Sequence, residues 1–131
     1  TVFGAYAFFW YAVATAWMMK MGVFGPELAA ACDVKQLGFA FLGYLIFSVL
    51  MTLGAMEVSK LIFIIMVVID ILLAALALNA FGVAPHLTHM IGAMAEMATA
   101  LLSFYACAAV VLNTFFGRVF LPVGKPFGIF K

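Results

Sequence analysis

Four apolar runs, residues 3–19, 37–56, 61–81 and 90–116, fill most of a 131-residue chain. A helix needs about 20 such residues to cross the hydrocarbon of a bilayer. Four crossings with short connections therefore leave no room for a separate water-soluble domain. Charge agrees with this reading. Only 8% of the residues are Asp, Glu, Lys or Arg, against roughly a quarter in soluble domains. The expected fold class is all-α, a polytopic transmembrane helical bundle forming a single domain over 1–131. The net charge of +1 and the lack of a basic stripe exclude nucleic acid as a partner.

The connections between the runs are punctuated as loops. After the first run come Lys20, Gly25-Pro26, Glu27, Asp33 and Lys35, a polar stretch with a helix-breaking dipeptide. Between the second and third runs only Glu57, Val58, Ser59 and Lys60 remain, so the flanking helices must be antiparallel neighbours. The third connection carries Pro85, His86 and His89, and residues 117–131 form a basic tail rich in Gly and Pro. Lys60, Arg118, Lys125 and Lys131 fall on one side, Lys20 and Lys35 on the other. The positive-inside rule then places the tail and the Glu57–Lys60 turn in the cytoplasm. The chain is expected in an inner or plasma membrane, its first helix entering from the cytoplasm behind an even number of earlier spans.

Small residues predict how the helices pack, because spans in lipid associate through close backbone approach and hydrogen bonds. Ala95, Thr99, Ser103 and Cys107 recur every four residues in the last run, with Gly92, Glu96, Ala100 and Ala108 beside them. Such faces suit contact with protein, including further copies of the chain. Cys32 lies in a polar connection and Cys107 deep in an apolar run, so both are expected as free thiols.

Two ionisable residues lie inside the runs, Asp70 and Glu96. A charge at that depth costs several kcal/mol, and such a residue is a functional candidate. Either carboxyl could exchange a proton as its surroundings change, or serve simply as a protonated acid bonded to a neighbour. Neutral hydrogen-bonding groups accompany them: Tyr6, Tyr11, Tyr44, Ser48, Thr52, Asn79, Thr99, Ser103, Tyr105 and Asn113. Hydroxyls and amides can replace the water around a small polar solute. No Lys or Arg lies within a run, which favours a small monocarboxylate or its neutral acid over a dianion. The nine Met read as apolar filler. No metal, cofactor or enzymatic motif is assigned.

The end of the last run reads Asn113-Thr114-Phe115-Phe116-Gly117-Arg118-Val119-Phe120-Leu121-Pro122-Val123-Gly124. This resembles the C-terminal signature of the succinate-acetate permease, or acetate uptake transporter, family, where Gly-Arg is followed by Leu-Pro-Val/Ile-Gly. The likeness extends to Tyr105, to the turn from Gly54 to Lys60, to Asp70 beside Ile69, and to Thr1-Val2-Phe3-Gly4-Ala5-Tyr6. It covers the chain as the last four of six helices. The family's Asn-Pro-Ala-Pro-Leu-Gly-Leu motif belongs to a first helix that precedes this stretch. The chain departs from the family pattern at Phe3, Ala7, Glu57 and Glu96.

The resemblance implies a six-helix protomer, a homohexamer, and proton-linked passage of acetate or succinate past a constriction. On that expectation Phe3 and Ile69 narrow the path, Asn79, Tyr105 and Asn113 supply hydrogen bonds, and Asp70, with Glu96 behind it, responds to protons. A passive channel of the same fold and a noncatalytic subunit of a larger complex are the alternatives.

Overall fold

The computed structural model describes residues 2–129. Thr1, which begins the family-like segment, and Lys131, which enters the charge count, lie outside the described residues, as does Phe130. The chain forms five helices: α1 (Val2–Lys20), α2 (Pro26–Ala31), α3 (Val34–Ala55), α4 (Lys60–Ala80) and α5 (Pro85–Phe116). Among the described residues there is no strand, and α1, α3, α4 and α5 are each long and apolar enough to cross a membrane.

Helix ends follow local chemistry. Asp33 caps α3 by accepting from the Lys35 backbone N–H at 2.9 Å, and Ser59 caps α4 by accepting from that of Ile62 at 3.2 Å. Each side-chain oxygen serves a donor that has no partner within the helix. Two prolines that suggested interruption start helices instead. Pro26 opens α2 and Pro85 opens α5, because the first helical position needs no backbone N–H and suits the fixed φ of proline. The last helix thus begins ahead of the boundary expected at Met90, and His86 and His89 lie in its first turns. Its other end is Gly117, in the left-handed region at φ 59°, where a residue without Cβ is favoured.

α3, α4 and α5 pack in series as antiparallel neighbours, with α4 in the middle. The four largest of the fully buried side chains, Ile65, Met66, Leu72 and Leu73, all belong to α4. The backbone of α1 approaches only α2 and α3 closely. Aromatic side chains fill part of the separation: Phe9 stacks on Tyr44 at 3.8 Å between centroids and meets Phe41 edge-on at 5.8 Å. Elsewhere α1 stands off from α4 and α5, which is what opens the clefts described below.

On α5 the buried side is Thr88, Gly92, Ala95, Ala106 and Ala109. Glu96, Ala100 and Cys107 are exposed instead. A repeat of four residues drifts by about 40° per step on a helix of 3.6 residues per turn, so Cys107 has rotated well away from Ala95. Gly92 marks the register with α4: a Cβ there would stand 3.8 Å from Ala75 Cβ and Leu76 Cδ2. One turn further along the antiparallel pair, Glu96 comes level with Leu72.

The tail folds back over the α3–α4 turn. Leu61 N–H donates to Val123 C=O at 3.0 Å, and Phe127 N–H to Met56 C=O at 2.9 Å. Ile129 N–H donates to Glu57 Oε1 at 2.7 Å. Gly124 makes the approach possible, since at φ +76° a Cβ would stand 2.8 Å from Lys60 Cβ. Lys60, Arg118 and Lys125 consequently gather at one end of the bundle.

Candidate functional site

Asp70 sits halfway along α4, a helix whose remaining residues from Leu61 to Leu78 are all apolar. Its carboxyl is met from α3, where Ser48 and Thr52 stand one helical turn apart on the same face. Ser48 Oγ donates to Asp70 Oδ1, and Thr52 Oγ1 donates to Asp70 Oδ2 at 2.7 Å. Thr52 Oγ1 also lies 3.0 Å from the Ser48 carbonyl, an alternative acceptor for its single proton. Ser48 and Thr52 are both buried. Two hydroxyls from one helix thereby hold both oxygens of a carboxyl on the next, and this clasp joins α3 to α4 at mid-depth. Tyr6, from α1, is buried with its hydroxyl beside Ser48 and Asp70.

On the other side of α4 a cleft of about 350 Å³ opens between α1, α4 and α5. Its walls are Phe3, Tyr6, Ala7 and Trp10 from α1, Ile69 and Leu72 from α4, and Glu96, Thr99, Ala100 and Ser103 from α5. The fold therefore brings together Phe3, Ile69 and Glu96, residues 93 positions apart at the extremes. Tyr6 belongs to both features, lining the cleft and standing beside Ser48 and Asp70. Thr99 Oγ1 is buried without a hydrogen-bond partner. Among the residues lining the cleft, Glu96 is the only acid and there is no Lys, Arg or His.

Phe3 has a further property. It also lines two adjoining apolar cavities of about 280 and 260 Å³, which lead past Ile62 towards Cys107 and Val111 on one side and Gly54 and Val58 on the other. One aromatic ring thus separates the mid-depth cleft from spaces nearer the end of the bundle that carries the tail. At the opposite end a cavity of about 610 Å³ lies between α1, α2 and α3 and includes Trp17, Lys20, Asp33 and Gln36.

Three of the residues anticipated as hydrogen-bond donors lie elsewhere. Asn113 Oδ1 accepts from the N–H groups of Phe120 and Leu121 at 2.7 and 2.8 Å, and its Nδ2 donates to Leu121 C=O at 2.9 Å. Tyr105 Oη donates to Pro122 C=O at 3.0 Å. Both side chains hold the tail. Asn79 stands at the end of α4, where its carbonyl accepts from Gly82 N–H. The roles of Ser48, Thr52, Tyr6 and Thr99 around the carboxyls were not assigned from sequence. The four-residue spacing of Ser48 and Thr52 within an apolar stretch of α3 was the available signal that their face meets a polar partner.

Among the described residues, no group of three or more His, Cys, Asp or Glu could hold a metal ion. Cys32 and Cys107 are free thiols. Residues 1–124 match the GPR1/FUN34/yaaH family. No curated protein matches the chain.

Proposed function

The chain belongs to the GPR1/FUN34/yaaH family of acetate transporters and channels, and from that premise we propose that it carries acetate-like monocarboxylates through the cleft between α1, α4 and α5, coupled to protons. The observation that carries this reading is the meeting of Phe3, Ile69 and Glu96 around one mid-depth cleft, with Asp70 on the far side of the same helix. Phe3 and Ile69 form the constriction. An apolar, narrow passage resists a hydrated anion and admits a small acid that sheds its water. With no cation in the cleft, a dianion such as succinate is the poorer cargo.

Asp70 supplies the proton response. As a carboxylate it accepts from both Ser48 and Thr52, and the clasp between α3 and α4 is closed. Protonation converts one oxygen from acceptor to donor, and Thr52 then turns to the Ser48 carbonyl already within reach. α4 carries Ile69 next to Asp70, so loosening the clasp moves one wall of the constriction. Asn79, Tyr105 and Asn113 lie outside the cleft and assist indirectly, the last two by holding the tail at its end of the bundle. By the positive-inside rule that end is cytoplasmic, in an inner or plasma membrane. The exposed small-residue faces and the family likeness both support a homo-oligomer, which we take to be a hexamer.

Uptake of labelled acetate into liposomes carrying the full-length protein tests the reading. Uptake is expected to rise several-fold when the interior is made alkaline relative to the outside. Equal uptake with and without the proton gradient would replace the carrier by a passive channel. No uptake by correctly inserted protein would remove acetate as the cargo.

A further inference from the structure

The geometry points to Glu96 as the residue that sets the protonation state of the cargo: the cleft accepts a monocarboxylate only when it and Glu96 share one proton. This inference rests on the transport reading above and adds a specificity determinant to it. Glu96 is exposed on α5, on the wall of the cleft and level with Leu72. The titratable groups facing it are few. From α1 there is Tyr6; from α4 the cleft wall is Ile69 and Leu72; α3 contributes nothing to the cleft; and α5 itself adds only Thr99, Ala100 and Ser103. Asp70 is engaged on the α3 side by Ser48 and Thr52.

A carboxylate entering this space therefore meets another carboxyl and no cation. Two ionised carboxylates at contact repel, and when two share a site one is strongly disposed to hold a proton. With a single proton between them, Glu96 and the cargo form one short O–H···O⁻ bond carrying one negative charge in total. The proton comes from solution, on Glu96 or on the acid, and leaves with the cargo when the pair separates. Ser103, on the same wall of the cleft, offers a hydroxyl to a remaining oxygen of that pair.

Acetate binding to the full-length purified protein, measured by calorimetry from pH 5 to 9, tests the assignment. In the wild type, affinity is expected to fall about tenfold per pH unit on the alkaline side. Glu96→Gln, whose amide donates to an ionised acetate without needing a proton, is expected to flatten that limb. A wild-type affinity that is flat over the whole range, or a Glu96→Gln limb as steep as the wild type, overturns the assignment while leaving acetate transport intact. Absence of both acetate binding and acetate uptake in the wild type takes down the transport reading and this inference with it.

Discussion

Asp70→Ala will loosen the bundle and abolish acetate uptake together, the largest single effect expected in this chain. The substitution removes the acceptor for two buried hydroxyls. Thr52 can fall back on the Ser48 carbonyl at 3.0 Å, but Ser48 Oγ, wholly buried, loses the acceptor it has. A buried hydroxyl left without a partner costs about 1–3 kcal/mol, and the α3–α4 contact loses its only polar cross-link at mid-depth among the described residues. Thermal unfolding of the detergent-solubilised protein should register the destabilisation. Asp70→Asn separates the two roles. Its amide keeps one acceptor and stays near native stability, yet it cannot change charge, so the rise of uptake with acidity should flatten. Asp70→Asn with an unchanged pH profile would remove Asp70 from the proton response.

Ala100→Trp is the second substitution of large expected effect. Ala100 lines the cleft but is exposed on α5, outside the buried stripe of Gly92, Ala95, Ala106 and Ala109 that packs the helix. An indole there projects into open space and not into the α4–α5 contact, so stability should change by less than about 1 kcal/mol. The cleft it enters holds only about 350 Å³. Acetate uptake should fall by about tenfold or more, since a passage of this size conducts only while it stays open. The paired readouts matter: lost uptake with retained stability is the signature of a blocked path, whereas loss of both would indicate that Ala100 belongs to the packing.

These expectations draw on features that were unequally visible in the sequence. The four spans were readable because an apolar run interrupted by Lys20, by Gly25-Pro26 or by the Glu57–Lys60 turn has few alternatives once water is excluded. Asp70 and Glu96 stood out for the same reason, as charges where hydrocarbon was expected. Their partners did not. Ser48 and Thr52 reach Asp70 only once the short turn fixes how α3 faces α4, and nothing local to either helix states that rotation. The drift of the four-residue repeat had a similar effect on α5, where Gly92 turns to the packed side and Ala100 to the cleft although both are small residues of one stripe. Asn113 and Tyr105 are polar residues in an apolar run, which suggested a path. Their partners turned out to be backbone groups of the returning tail, whose course is set by Gly117 and Gly124. Pro85 shows the remaining ambiguity, because a proline that ends one helix is equally able to begin the next.

The central claim is that acetate crosses through the space walled by α1, α4 and α5. The most direct measurement places a single reactive thiol there, Ala100→Cys in a chain whose Cys32 and Cys107 are replaced by serine and alanine, and follows acetate uptake during modification with a small methanethiosulfonate. Modification should stop uptake, and saturating acetate should slow the modification, because cargo and reagent compete for one cleft. Complete modification with uptake undiminished would contradict the account and place the path elsewhere in the bundle.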